Sequence, residues 1–220
     1  DAYHFGGHHF SPNSWIHLAP DDTVTLMLAT SELGQGSMTA IPMLLAEELE
    51  ADWAKVKVVP APVNPDFNNP ISNKQSTGGS TAVRGYWEPL RRVGAGTREL
   101  LITAAAVTWG VAPSACHARN SVVFHTASGR RLRYGALLAT ASKLTPPAEV
   151  HLKNPKDFRL IGKPMARLDT PAKVNGSAVF GTDVRRPGML TAVVARCPVF
   201  GGKPKGYDAG AARAVRGVHK

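Results

Sequence analysis

Glu32-Leu33-Gly34-Gln35-Gly36-Ser37-Met38-Thr39, running on through Leu44-Leu45-Ala46-Glu47-Glu48-Leu49, reads as a glycine turn that opens a helix. Before it, Val24, Leu26 and Leu28 alternate with Thr23, Thr25 and Met27, the period-2 pattern of a strand with at least one buried face. Gly34 and Gly36 admit backbone angles closed to other residues and let a ligand come close to the main chain. Ser37 or Thr39 can cap the helix, and free amides at its start suit an anion. Working outward, Trp15-Ile16-His17-Leu18 starts an earlier strand with His17 facing solvent, Asp21-Asp22 supplies the turn, and Lys55 to Val59 alternates as a third strand. The order is two strands, helix, strand, with the helix covering the sheet.

A second junction of the same kind stands at Gln75-Ser76-Thr77-Gly78-Gly79-Ser80-Thr81. Pro60 through Lys74, an irregular loop rich in proline and asparagine, delivers the chain to it. Val83, Trp87, Leu90, Val93, Leu100, Leu101, Ala104 and Ala105 then recur at helical spacing up to about Trp109. Ser80 or Thr81 is the natural N-cap. Arg84 is out of place in a first turn, where the dipole prefers acids, and a bound anion nearby would explain it. Pro89 inside the pattern predicts that the helix starts after Glu88 or bends there. Two helix starts rich in glycine and hydroxyls suggest a ligand with more than one phosphate or many polar edges.

Farther on, Ser114 can cap a short helical turn, Asn120 to His125 reads as a strand, Arg131 to Arg133 as its return, and Tyr134 to Lys143 as a short amphipathic helix. From Val150 to Arg167, prolines and lysines with little periodicity have the character of a linker, and the domain boundary is placed there. Ala178 to Phe180 and Met189 to Arg196 are strand-like, and Asp208 to Val215 is a short alanine-rich helix. The domains expected are a tail over residues 1–12, a first domain over 13–150, and a linker with the start of a second domain over 151–220.

The formal charge is +10, from 26 Lys and Arg against 16 Asp and Glu. The basic residues are spread, as at Arg91-Arg92, Arg130-Arg131-Arg133 and Arg185-Arg186, without interleaved aromatics or a basic helical stripe. That distribution argues against nucleic acid and for a solvated surface or one facing an acidic partner subunit. The two cysteines, Cys116 and Cys197, form no C-x-x-C pair and cannot alone build a zinc site or an iron–sulfur cluster; they are expected as buried free thiols. His4, His8 and His9 lie in the tail with no second ligand cluster spaced to meet them, so no metal ligand is assigned. No apolar run reaches membrane-spanning length, and no charged-then-apolar signal opens the chain. A start at Asp1 rather than Met reads as a processed product or a fragment.

In this order and wording, the junctions resemble the molybdenum hydroxylases of the xanthine dehydrogenase and aldehyde oxidase family, and within it the isoquinoline 1-oxidoreductase and bacterial aldehyde dehydrogenase branch. The resemblance is carried by Glu32-Leu33-Gly34-Gln35-Gly36 with Thr39, Leu44 to Leu49, Thr77 to Thr81 with Val83-Arg84, and Trp87-Glu88-Pro89-Leu90-Arg91. A third block, Leu160 to Pro164 with Arg167, Asp169, Lys173-Val174 and Gly176, resembles the entry to the family's hammerhead domain.

The resemblance implies an α+β chain, a portion of a molybdopterin-binding domain followed by the start of a hammerhead domain. It also implies oxidation of an aldehyde, or hydroxylation of an N-heteroaromatic ring, with oxygen from water. The implied cofactor is molybdopterin cytosine dinucleotide, held at Gly34, Gln35, Gly36, Ser37, Thr39, Thr77, Gly78, Gly79, Ser80 and Thr81. Electrons would leave through iron–sulfur clusters on a partner subunit, with a cytochrome c subunit a further partner, and the remaining C-terminal portion would be covalent or a separate chain. A periplasmic site, or the periplasmic face of the inner membrane, is implied likewise. The family's catalytic base is a glutamate in a Gly-x-Gly-Glu pattern, which does not occur here, so no catalytic residue is assigned. Glu32 is the nearest acid by position, and its other reading is a carboxylate that orients backbone amides. Two other classes stay open: a non-catalytic phosphate- or nucleotide-binding module, although neither junction contains G-x-G-x-x-G or a P-loop lysine, and an assembly subunit with a degenerate pterin site.

Overall fold

The computed structural model describes residues 10–219, so the histidines at positions 4, 8 and 9 lie outside the described residues. The chain divides between Ser177 and Ala178 into two compact units. The first begins with four strands in the order β1 (Phe10–Asn13), β2 (Ile16–Leu18), β3 (Val24–Leu28) and β4 (Val56–Pro60). β1 takes residues expected as tail into the sheet edge. Asn13 Oδ1 accepts from the amides of Trp15 and Ile16 and closes the turn that returns the chain into β2. His17 in β2 is half-buried and hydrogen-bonded to the Ser11 hydroxyl rather than turned wholly to solvent.

β2 and β3 pair antiparallel, with Ile16 opposite Leu26 and Leu18 opposite Val24, while β4 joins β3 parallel. All five residues of β3 are buried, so both faces of this strand are covered. A parallel neighbour needs a crossover, and α1 (Ser37–Leu49) provides it, packing on β3 and β4 as expected.

α2 runs unbroken from Ala82 to Trp109, through Pro89. A start after Glu88 is therefore excluded. A proline inside a helix costs about 3 kcal/mol, and burial of Leu90, Leu100, Leu101, Ala104 and Ala105 along the same helix offsets it. Where α1 and α2 cross, a Cβ on Gly94 would stand 2.5 Å from the Leu45 carbonyl oxygen, so the close approach requires glycine. A second, three-stranded antiparallel sheet follows: β5 (Cys116–Arg119), β6 (Val122–His125) and β7 (Arg131–Arg133). Only β5 goes beyond the sequence expectation. α3 (Tyr134–Ala141) then packs on α2, and its buried Tyr134 hydroxyl donates to the Leu49 carbonyl at 2.6 Å.

Residues 151–177, whose composition is that of a linker, belong to this unit because two buried carboxylates of α1 hold them. Glu48 pairs with Arg91 at 2.7 Å and with Arg98 at 3.2 Å, and it accepts from the Lys153 amide. Glu47 bonds the Lys153 ammonium and accepts from the amides of Arg159, Leu160 and Ile161. Three amides aimed at one carboxylate fix a strand of chain that has no ladder of its own. It ends in α4 (Thr170–Val174), a single short helix.

The second unit differs from expectation. Its described part holds α5 (Gly210–Arg213), shorter than the helix expected from Asp208 to Val215, and no strand at Ala178–Phe180 or Met189–Arg196. Val193 and Val194 are 94% and 74% exposed. β-branched residues make a strand only against a partner that supplies ladder bonds and a face to pack on, and no described residue does so for these. Both thiols are free, Cys116 half-buried and Cys197 exposed, which corrects the expectation that both are buried. No helix among the described residues is long and apolar enough to cross a membrane.

Candidate functional site

The first junction leaves β3 at Leu28 and turns at Gly34 and Gly36, both in the left-handed region with φ of 104° and 86°. Gly36 is itself the N-cap residue of α1, and neither Ser37 nor Thr39 makes a side-chain cap bond. The capping is done by Glu32. Its Oε1 accepts from the amides of Gly34 at 2.7 Å and Gly36 at 3.0 Å, and its Oε2 from Met38 at 2.9 Å. The anion at this helix start is therefore the chain's own carboxylate. Burial raises the Glu32 pKa, but the amides of Met38, Gly36 and Gly34 outweigh that and hold it below the ordinary value. With both oxygens engaged by amides, the carboxylate orients the turn, the second of its two readings from the sequence.

Gln35 is bonded within the same turn. Its Oε1 accepts from the Leu33 amide at 2.6 Å, and its Nε2 donates to the Ser31 carbonyl and the Ser37 hydroxyl, each at 2.8 Å. To meet a ligand, the carboxamide exchanges one of these bonds. Thr39 Oγ1 accepts from the Leu168 amide at 3.0 Å.

From the segment beyond the expected boundary, Arg167 reaches back to this turn. Its Nη1 donates to the Gly34 carbonyl at 3.0 Å and its Nη2 to Glu32 Oε1 at 3.2 Å. Asp169 takes the remaining fork of the guanidinium through Nε and Nη2, and Lys173 bonds Asp169 as well. These two cations drive the Asp169 carboxyl far below the usual range.

The second junction meets the first through one bond: the Ser31 amide donates to Thr77 Oγ1 at 2.8 Å. Gly79 and Ser80 both take left-handed angles, with φ of 61° and 51°, and for serine that conformation is strained. Thr81 is the N-cap residue of α2, as one of the two expected candidates. Its hydroxyl donates back to the Gly78 carbonyl rather than capping a helix amide. Arg84, expected to mark an anion, donates from Nε to the Ser80 carbonyl at 3.1 Å. Asn69, wholly buried, donates to the Thr81 carbonyl and anchors the long loop against the start of α2.

Between the junctions lies a cleft of about 610 Å³, walled by Thr30, Ser31, Glu32, Met38, Val58, Gln75, Ser76 and Thr77, with exposed Leu33 and Val63 at its rim. Of the residues assigned to the cofactor from the sequence, Thr77 is in this wall, and Glu32, the candidate acid, is there as well. Gly34, Gln35, Gly36, Ser37 and Thr39 build the turn beside Glu32 and Met38, and Gly78 to Ser80 lead from Thr77 into α2. Sequence reasoning missed Thr30, and it placed Gln75 in the second junction and Arg167 in the third block without giving either a role in the site. Thr30 is only 6% exposed, and its Oγ1 is buried with no hydrogen-bond partner among the described residues. Such an orphan in a cleft wall costs free energy unless something supplies its partner. No group of three or more metal-ligating side chains occurs among the described residues.

Residues 2–184, which include both junctions, the cleft and Arg167, match the family model of the molybdopterin cofactor-binding domain. The chain belongs to that family. Across 95% of its length this molybdopterin-binding chain is 36% identical to the beta chain of isoquinoline 1-oxidoreductase from Brevundimonas diminuta, covering 31% of that protein. It is 33% identical to the membrane-bound aldehyde dehydrogenase [pyrroloquinoline-quinone] of Gluconacetobacter polyoxogenes, over 94% of the chain and 27% of the relative. A nicotinate dehydrogenase subunit from Pseudomonas putida is 28% identical over 85% of the chain and 15% of the relative. The chain thus spans less than a third of the length of each of these relatives. The crystal structure of quinoline 2-oxidoreductase from Pseudomonas putida 86 aligns with a TM-score of 0.45 and 16% identity, over 62% of this chain and 17% of that one.

The cleft suits the family's cofactor. A pterin presents a polar edge and a flat face, and a wall that mixes Ser31, Gln75, Ser76 and Thr77 with Met38 and Val58 offers partners to both. The Thr30 hydroxyl, which no described residue bonds, adds a polar atom in that wall with its hydrogen bond still to be made.

Proposed function

We propose that the cleft between the two junctions holds the pterin of molybdopterin cytosine dinucleotide, in an oxidoreductase that oxidises an aldehyde or hydroxylates an N-heteroaromatic ring with oxygen from water. The observation that carries this reading is the Ser31–Thr77 bond, which sets both junctions on one cleft beside the orphaned Thr30 hydroxyl. Family membership and the names of the relatives support it.

Bound here, the cofactor supplies the redox-active molybdenum through its own dithiolene. The chain's part is to bind and orient. Gln35 offers an amide to the pterin edge, and Thr77, Gly78, Gly79, Ser80 and Thr81 offer hydroxyls and amides at the start of α2 to the phosphates. Ser37 and Thr39 hold the first turn in place for that contact. The base and the substrate pocket come from the remaining C-terminal portion of the molybdenum subunit, covalent or separate, with the second unit as the beginning of a hammerhead domain. An iron–sulfur subunit takes the electrons, a cytochrome c subunit is a further acceptor, and the assembly sits in the periplasm or on the periplasmic face of the inner membrane.

Molybdenum analysis of the purified assembly, together with pterin fluorescence after oxidation and assay of released nucleotide, tests the reading. Molybdenum, pterin and cytidine nucleotide at near-equal amounts per chain are expected. A folded assembly with a bound nucleotide but neither molybdenum nor pterin would instead identify a phosphate-binding module.

A further inference from the structure

We infer that Arg167 is a positioning residue that holds the first glycine junction in the shape the cofactor meets, an inference that rests on the proposed cofactor reading. A turn with two left-handed glycines is intrinsically loose, since glycine loses more conformational freedom on ordering than any other residue. Glu32 gathers the amides of Gly34, Gly36 and Met38 from inside the turn. That leaves the carboxylate and the Gly34 carbonyl, both rich in electron density, on the side that faces Arg167.

A guanidinium answers both at once. It donates to the Gly34 carbonyl and to Glu32 Oε1 while its remaining fork is held by both oxygens of Asp169. Asp169 fixes the fork's plane, so the two donors aimed at the junction arrive already oriented. Next in sequence, the Leu168 amide donates to Thr39 Oγ1 in the first turn of α1. Residues 167 and 168 thus tie the junction on both sides of Gly36. These contacts cross more than 120 residues of chain, as in the pairs Arg167 with Gly34 and Leu168 with Thr39. The segment with linker-like composition is in this way part of the site.

The test uses the full assembly with Arg167→Ala, Arg167→Lys and Asp169→Asn, reading hydrogen exchange by peptide and pterin per chain. With Arg167→Ala, amide exchange over residues 31–40 should quicken by about tenfold or more, the factor controlled by one hydrogen bond to a charged group. Exchange in β3 and in the second half of α2 should stay at the wild-type rate, and pterin per chain should fall several-fold. Arg167→Lys should recover part of the pterin, since one ammonium can reach the carbonyl or the carboxylate but lacks the planar fork. Asp169→Asn should fall between wild type and Arg167→Ala. Exchange quickening equally through β3 and α2 would make Arg167 a general stabiliser and overturn the inference. So would a junction that exchanges at the wild-type rate, or a loosened junction in Arg167→Ala protein that keeps its full pterin. Wild-type assembly without pterin would instead overturn the cofactor reading, and the exchange arm would still decide whether Arg167 holds the turn.

Discussion

Replacing Thr30 by valine exchanges a buried, partnerless hydroxyl for a methyl group of nearly the same size. The hydroxyl is sealed from solvent and no described residue bonds it. A buried polar group left unsatisfied costs about 1–3 kcal/mol, so cofactor-free Thr30→Val protein should be more stable than wild type by about that amount. In a unit of this size each kcal/mol moves the melting midpoint by roughly 2–4 °C, well within the resolution of differential scanning calorimetry. Rotation about χ1 can turn the hydroxyl to the cleft that Thr30 lines, so the same variant should hold its pterin less tightly. A gain in stability with a loss of retention is the signature of a binding residue. A midpoint lower than wild type by several degrees would refute the reasoning, since it would mean that the hydroxyl is already satisfied, for instance by a buried water.

Glu48→Gln should cost about 3–5 kcal/mol in urea unfolding, because Arg91 and Arg98 would keep their charges against a neutral partner in a closed site; a loss under about 1 kcal/mol would show that the cluster is not coupled to the fold. Glu32 and Glu47 are held below their ordinary value of 4.5, burial opposing the charged form and the bonds from amides, and for Glu47 also from Lys153, outweighing it. A lowered folded pKa gives stability that is complete above the unfolded value and is lost as pH falls through the folded one. Melting midpoints should therefore be flat above pH 5, by about one half-unit over that ordinary value, and fall steadily below it, and a profile that rises on acidification would contradict the assignment. Gln35→Ala should lower molybdenum content without changing the circular dichroism spectrum, and full metal in that variant would remove Gln35 from the site.

Much of the fold is legible in the sequence for simple reasons. The alternation of Val24, Leu26 and Leu28, the apolar spacing after Gly36 and the long period from Val83 to Trp109 are local signals, and each forms the element its period predicts. What is not legible comes from partners far away. Cys116 to Arg119 is a poor strand sequence and becomes β5 because Val122 to His125 pairs with it. Residues 151–177 look like a linker because their order is supplied by Glu47, Glu48 and Glu32, each more than 100 positions away. Conversely, Met189 to Arg196 has strand propensity and no partner among the described residues, so propensity alone overstates it.

At the site, the two junctions are visible as glycine and hydroxyl clusters, and their meeting through Ser31 and Thr77 is not. The roles within the first junction are also hidden. A carboxylate five residues before a helix reads as a candidate acid or base, while its geometry makes it the cap. Thr30 shows in the sequence only as a polar residue two positions after an apolar strand, a signal too common to act upon.

Gly78→Val is the sharpest test of whether the start of α2 and the cleft beside it hold the cofactor. A Cβ at Gly78 meets nothing within 4 Å, and its backbone is not in the left-handed region, so the substitution has room in the protein itself. In the proposed reading, the open space it fills is where the cofactor's phosphates lie. Molybdenum, pterin and cytidine nucleotide per chain should be near-equal in the wild-type assembly and fall by several powers of ten in Gly78→Val, with the melting midpoint of cofactor-free protein unchanged; a variant that keeps its molybdenum and nucleotide would contradict the account.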